Sequence, residues 1–128
     1  YGYVGDVSHI QTPILEQMLD NLMLPVLASI GYSNEGDMLN INADYLATAV
    51  AIALNAEKLV LMTDVKGVLE NAEVLDSLTS KEFQEKIDQG IITGGMIPKI
   101  ESAVNTVLAG VGEVLIGDNL VTGTSIIS

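Results

Sequence analysis

The 128-residue chain contains no cysteine, no tryptophan and no arginine. Without cysteine the protein has neither a disulfide framework nor a thiolate metal site, and a reducing, cytoplasmic location is the simplest expectation. Its 5 basic residues are all lysines, at positions 58, 66, 81, 86 and 99, against 17 acidic residues, which gives a formal net charge of −12. Nucleic acid and anionic membrane surfaces bind basic patches, so neither is an expected partner.

Long hydrophobic runs are missing too. The longest apolar stretches, such as Tyr45–Leu54, fall well short of the roughly 18 residues that a membrane-spanning helix needs. The chain opens on the strand-forming residues Tyr1–Val4 rather than on an initiator methionine. We therefore expect a piece of a longer protein, folded as a single domain.

The pattern of apolar residues and capping signals predicts four helices. They lie near residues 13–23, 43–54, 79–89 and 96–109, the second capped by Asn42 and the third by a Thr79 capping box. Apolar runs predict strands at 24–30, 58–63 and 113–117, with further strands near both ends of the chain. Because apolar strands alternate with helices, the predicted fold is a three-layer α/β/α sandwich with a mainly parallel sheet.

Three polar clusters follow the predicted strands. They are residues 40–44, 63–68 and 93–99. In a parallel sheet the carboxyl ends of the strands share one edge with the amino ends of the helices, and ligands bind there. We therefore expect these clusters to meet at one edge of the sheet.

Lys99 is the most informative residue in these clusters. A lysine early in a helix is repelled by the positive end of the helix dipole, unless an anion binds there. It follows Gly94 and Gly95, which let backbone N–H groups approach a ligand closely. Together with the aspartates Asp44 and Asp64, this set suits phosphoryl transfer, in which positive groups stabilise the transferring group. Each aspartate also has a structural interpretation, Asp44 as a first-turn helix residue and Asp64 as a turn residue.

Two longer segments carry a family resemblance. They are "NINADYLATAVAIALNAEKLVLMTDVKGVL" (Asn40–Leu69) and "GIITGGMIPKIESA" (Gly90–Ala103). In this order they resemble the C-terminal, nucleotide-binding half of the acetylglutamate kinases, which belong to the amino acid kinase family. The opening "YGYVGDV", the run "PVLASIG" and the terminal "GTSII" are similar to the same pattern, so the resemblance covers nearly the whole chain.

The resemblance implies transfer of the γ-phosphoryl group of ATP, bound with Mg²⁺, to the side-chain carboxylate of N-acetyl-L-glutamate in arginine biosynthesis. It implies that Lys99 stabilises the transferring group, that Asp44 orients catalytic lysines, and that Asn40 and Asn42 bind the substrate. No side chain of this chain is expected to hold a metal. The residues expected to bind the nucleotide are Thr63, Asp64, Val65, Lys66, Gly67, Val68, Leu69, Ile91, Ile92, Thr93, Gly94, Gly95 and Met96.

The sequence departs from the family pattern in two ways. The family's N-terminal, substrate-binding domain is expected to be missing from this chain, together with its lysine strand and the arginine that clamps the substrate carboxylate. The stretch between Asn119 and Thr122 is also short, so a helix and loop near the nucleotide are expected to be missing. We therefore expect the chain alone to be inactive, and either to pair with the missing half or to form a homo-oligomer.

The sequence alone also allows other interpretations. Aspartokinase, glutamate 5-kinase, carbamate kinase and uridylate kinase share the pattern around Asp64, whereas residues 40–44 and 94–99 together favour the acetylglutamate enzyme. From a different class, the chain would be a non-catalytic nucleotide-binding or interaction module.

Overall fold

Residues 4–128 are described by a computed structural model. Contacts divide the chain into two compact units, one up to Leu54 and one from Asn55 to Ser128. The strand predicted at the start of the chain includes residues 1–3, which lie outside the described residues. Val4 forms an isolated parallel bridge with Asn40.

The first unit contains two helices and a short hairpin. Its elements are α1 (Thr12–Asp20), β1 (Ile30–Tyr32), β2 (Met38–Asn40) and α2 (Ala43–Ala53). β1 and β2 pair in antiparallel fashion, and the turn between them is closed by Ser33, whose hydroxyl oxygen accepts the N–H groups of Glu35 and Asp37 at 3.2 Å each. Both predicted helices are confirmed, α2 with Asn42 as its N-cap.

The strand predicted at residues 24–30 is wrong. Only Ile30 belongs to a strand, and Leu24 and Val26 are 86% and 88% exposed. An apolar run becomes a buried strand only when neighbouring strands satisfy its backbone N–H and C=O groups. Among residues 4–128 no strand pairs with residues 24–29, and Pro25 has no N–H to donate.

The second unit is built around a four-stranded sheet. Its elements are β3 (Lys58–Met62), β4 (Leu69–Glu70), β5 (Glu73–Val74), β6 (Ser77–Thr79), α3 (Ser80–Asp88), α4 (Met96–Leu108), β7 (Glu113–Gly117) and β8 (Thr124–Ile127). The strand order is β3-β7-β8-β6, and β4 and β5 form a separate hairpin. β3 with β7 and β6 with β8 are parallel, and β7 with β8 is antiparallel. The prediction of an α/β fold with a mainly parallel sheet is confirmed.

The core of this unit lies between β7, β8 and α4. Val114, Leu115 and Ile116 of β7 are at most 2% exposed. α4 packs against β7 and β8 through a buried face at helical spacing, formed by Ile100, Ala103, Val104 and Val107. Each large apolar side chain buried in this way contributes about 1.5–3 kcal/mol.

The ends of α3 agree with the sequence signals. Thr79 and Glu82 form the predicted capping box, in which the Glu82 N–H donates to the Thr79 hydroxyl and the Thr79 N–H donates to the Glu82 carboxylate. Gly90 has φ +72° just beyond the helix, and the Ile91 N–H donates back to the Lys86 carbonyl. This arrangement is typical of a helix that ends on a left-handed glycine.

One charged cluster crosses three strands of the sheet. The Ser125 hydroxyl donates to Glu113 Oε1 at 2.5 Å, and Lys58 Nζ lies 3.2 Å from the same oxygen. The Ser125 hydrogen bond is the main reason that the pKa of Glu113 lies below its usual value of 4.5. Partial burial acts against this shift, and Lys58 adds to it.

We expect this cluster to make stability depend on acid. Because the pKa of Glu113 is lower in the folded protein, its stabilising contribution is complete above about pH 4.5 and is lost as the pH falls through the folded-state pKa. Glu113→Gln should therefore show a flatter dependence of the free energy of unfolding on pH between about pH 5 and 3, measured by urea denaturation. Ser125→Ala should reduce the slope in the same direction. An unchanged slope in both variants would contradict this account.

Candidate functional site

The candidate site lies at the edge of the sheet where β3 and β7 end. These strands are parallel, with Met62 opposite Gly117, and the Thr63 N–H donates to the Gly117 carbonyl at 2.9 Å. α4 packs against β7, and a short turn at Gly110 joins the carboxyl end of α4 to the amino end of β7. The amino end of α4 therefore lies at the edge where β7 ends. The structure thus places the loop after β3 and the start of α4 where the strand alternation predicts them.

The loop of residues 63–68 combines exposed polar side chains with a buried end. The Thr63 hydroxyl donates to Asp64 Oδ1 at 3.3 Å, and the side chains of Asp64 and Lys66 are exposed. Gly67 and Val68 are buried. The charged groups are therefore presented to solvent by a loop whose far end is anchored in the protein.

Among the described residues, no side chain caps the amino end of α4. Gly95 is the N-cap and, as a glycine, offers no side-chain cap, and the Met96 and Ile97 N–H groups reach the carbonyls of Thr93 and Gly94 at 3.3 and 3.2 Å. Gly94 has φ +57°, a conformation that favours glycine. Gly95 has φ −67° and ψ −13°, which any residue adopts, and a β-carbon added there would meet no atom within 4 Å. Within the described structure, nothing therefore requires a glycine at position 95.

Residues 91 and 92 are held by their backbone. Both N–H groups donate to the Lys86 carbonyl, at 2.9 and 3.2 Å, and the Ile92 side chain is 2% exposed. Lys86 Nζ also pairs with Glu70 in β4 at 2.5 Å. Lys86 thereby links the segment before α4 to the hairpin that follows the loop of residues 63–68.

A cavity of about 580 Å³ opens beside the carboxyl end of β7. Its polar wall residues are Lys66, Asp76, Asp118, Asn119, Thr122 and Ser125. Of the residues predicted to bind nucleotide, Lys66 lines this cavity, whereas residues 91–96 and Lys99 do not. The cavity is thus one part of the sheet edge, beside the loop, and the start of α4 is another.

Sequence reasoning missed the turn that forms one wall of this cavity. Asn119 Oδ1 accepts the N–H groups of Val121 and Thr122 at 2.8 Å each, and Asn119 Nδ2 donates to Asp118 and to the Thr122 hydroxyl. The short stretch between Asn119 and Thr122 is therefore a closed turn that joins two adjacent strands. The signal was present, because Asp-Asn followed by Thr-Gly between two apolar runs is typical of turns.

The remaining predicted site residues belong to the first unit. Asn42 Oδ1 accepts the Tyr45 N–H at 3.1 Å, so this side chain caps α2. Asn40 ends β2, and its carbonyl accepts the Gly5 N–H at 3.0 Å. Asp44 lies half-buried in the first turn of α2. Substrate binding by Asn40 and Asn42 and the orienting role of Asp44 toward catalytic lysines stay predictions.

Within residues 4–128, no group of three or more His, Asp or Glu side chains is placed to hold a metal ion. No helix in the same range has both the length and the apolar content to cross a bilayer.

Comparisons with known proteins agree with this architecture. The chain is 70% identical over 126 residues to an acetylglutamate kinase of Streptococcus mutans, a match that covers 98% of this chain and 51% of the relative. A crystal structure from Streptococcus mutans UA159 is 69% identical, with a TM-score of 0.87, and the match covers 99% of this chain and 52% of that one. The chain thus spans about half the length of the curated relatives it matches.

A third similar protein is named for a different activity. The N-acetylglutamate synthase of Neisseria gonorrhoeae, solved with coenzyme A and N-acetylglutamate, is 26% identical, with a TM-score of 0.89 over 98% of this chain and 32% of that chain. The family model described as "Amino acid kinase family" matches residues 2–118. The chain belongs to the amino acid kinase family.

Proposed function

We propose that this chain is the C-terminal, nucleotide-binding part of an acetylglutamate kinase, acting in the cytoplasm in arginine biosynthesis. Its substrates are ATP, bound with Mg²⁺, and N-acetyl-L-glutamate. A side-chain carboxylate oxygen of acetylglutamate attacks the γ-phosphorus, the bond to the β-phosphate oxygen breaks, and the products are an acyl phosphate and ADP. Support comes from the relatives named acetylglutamate kinase, at up to 70% identity over 98% of this chain.

The start of α4 is the observation that carries the nucleotide role. The helix dipole favours an anion at this end of α4, and Lys99 adds a positive charge one turn into the helix. The open space at Gly95 leaves room for a phosphate oxygen to approach the backbone. Phosphoryl transfer depends chiefly on positioning and on stabilisation of charge on the transferring group, which is what these groups supply.

The loop of residues 63–68 has a complementary role. Lys66 and Asp64 are exposed on it, and Lys66 borders the cavity beside β7. We assign this loop and cavity to the nucleoside end of ATP, with the start of α4 at the phosphate end. In the complete enzyme Asn40 and Asn42 would bind the substrate, and Asp44 would orient the catalytic lysines.

A second candidate is a non-catalytic binding module. It is favoured by the similarity to the Neisseria gonorrhoeae protein, which is named a synthase rather than a kinase although its fold is closely alike. In that case the chain would bind acetylglutamate or nucleotide as part of a larger assembly, by pairing with another half or by forming a homo-oligomer.

A complementation assay separates these candidates. The chain is incubated with Mg-ATP, acetylglutamate and hydroxylamine, which traps an acyl phosphate as a hydroxamate, first alone and then fused to the N-terminal part of the Streptococcus mutans kinase. We expect no signal above a blank from the chain alone and a clear signal from the chimera. Calorimetric binding of ATP by a chimera that never forms hydroxamate would favour the module. Turnover by the chain alone would show that the catalytic groups are divided differently.

Lys99 is tested in the same chimera. We expect Lys99→Ala to lower kcat by about 10²–10³-fold, because a positive group that stabilises the transition state is removed. Lys81→Ala is the matched control, since Lys81 also lies in the first turn of a helix but on α3, without a preceding glycine pair. Equal losses in both variants would argue against a specific phosphate site at α4.

Gly95 gives a test in which stability and affinity change in opposite directions. Gly95→Ala should leave the free energy of unfolding of the chain unchanged or raise it by about 0.4–1 kcal/mol, since the backbone at this position suits alanine. The same change should weaken ATP binding to the chimera by about tenfold, or about 1.4 kcal/mol, because the methyl group occupies the space for the phosphate. Full affinity in this variant would remove the main structural support for the phosphate position.

A further inference from the structure

Thr124 is a buried polar residue at the start of β8. Its relative exposure is 0%. Its hydroxyl accepts the Val68 N–H at 2.9 Å and donates to the Leu75 carbonyl at 2.6 Å. One side-chain oxygen thus joins β8 to the two ends of the segment that contains the β4–β5 hairpin.

Backbone hydrogen bonds complete this attachment. The Leu75 N–H donates to the Val68 carbonyl at 2.8 Å, and the Ser125 N–H donates to the Asp76 carbonyl at 2.9 Å. A hydroxyl is the smallest side-chain group that accepts one hydrogen bond and donates another, so valine at position 124 would leave both partners unsatisfied.

Gly67 shows how closely the loop approaches this hydroxyl. A β-carbon at position 67 would lie 2.8 Å from Thr124 Oγ1 and 2.7 Å from a methyl group of Val74, and Gly67 has φ +151°. The end of the loop is therefore pressed against Thr124 with no space for a side chain. The chain neighbours of Thr124, Gly123 and Ser125, line the cavity beside β7.

We propose that Thr124 is a positioning residue that holds the loop of residues 63–68 in the conformation that receives the nucleotide. We call the two hydrogen bonds of the Thr124 hydroxyl, to Val68 and Leu75, the clamp. The role of the loop in nucleotide binding rests on the proposed function, whereas the clamp itself is a property of the fold. Thr124 is fully buried, so it acts through the Val68 amide and the packing of Gly67. Without its hydroxyl, the loop that carries Asp64 and Lys66 loses its fixed end.

The clamp is tested first without any ligand, in the chain itself. In Thr124→Val the Val68 amide should exchange with solvent about tenfold faster or more, because its acceptor is gone, while Thr124→Ser should keep most of the protection. Thr106→Val is the matched control. Thr106 is another threonine of the same unit with 0% exposure, and its hydroxyl donates to the Ser102 carbonyl within α4. Unchanged exchange of Val68 in Thr124→Val would overturn the clamp.

The functional part is tested by kinetics in the chimera with the Streptococcus mutans N-terminal part. We expect Thr124→Val to raise the KM for ATP about tenfold, an effect of about 1.4 kcal/mol, with a much smaller change in kcat. Thr124→Ser should restore the wild-type value, and Thr106→Val should leave it unchanged. An equal rise in both valine variants would show a general loss of stability and would overturn the positioning role.

Two further outcomes keep the conclusions separate. If Thr124→Val does not fold, Thr124→Ser decides the question, and full loss of Val68 protection in a folded Thr124→Ser protein would overturn the clamp. If the wild-type chimera neither forms hydroxamate nor binds ATP, the proposed function fails and the nucleotide role of Thr124 fails with it. Exchange of the Val68 amide still decides whether Thr124 holds the loop.

Discussion

The burial of β7 determines the arrangement of the second unit. This strand has a neighbour on each side, β3 in parallel and β8 in antiparallel orientation, its residues 114–117 are buried, and α4 packs against it. The register that buries Val114 and Ile116 also sets Met62 opposite Gly117. The point at which the loop of residues 63–68 leaves the sheet is therefore fixed by the hydrophobic core. The position of this part of the candidate site is thus determined by the hydrophobic packing around β7, whose side chains take no part in the proposed chemistry.

Local signals in the sequence were sufficient for the helices and for β3, β7 and β8, whereas β6, in which Leu78 is 1% exposed, was not predicted. α3 and α4 are encoded by a capping box, by helical spacing of apolar residues and by terminal glycines, all of which act within a few residues. The strand predicted at residues 24–30 is wrong because no strand among residues 4–128 pairs with residues 24–29, and the apolar run itself does not reveal whether a partner strand is present. The two-residue strands β4 and β5 were missed because so short a pairing leaves no periodic pattern.

The candidate site was predictable in position but not in construction. Alternation of strands and helices was enough to bring residues 63–68 and the start of α4 to one edge of the sheet. The contribution of Thr124 was not readable, because its partners Val68 and Leu75 lie about fifty residues away in sequence and meet it only after the sheet has formed. Polar contacts of this kind connect the loop to the core, and they cannot be predicted from the pattern of neighbouring residues in the sequence.

The order of the strands in the sheet has a consequence for folding. β3 is the first strand of the four along the chain, yet its partner is β7, and among the described residues β6 pairs with β8 alone. During synthesis β3 and β6 therefore emerge before their partner strands. Their backbone N–H and C=O groups cannot form the hydrogen bonds of the sheet until β7 and β8 have been made. Pairings between such distant segments are slow to form and expose apolar strand surface meanwhile. The four-stranded sheet therefore cannot be completed until β8 (Thr124–Ile127) has been synthesised.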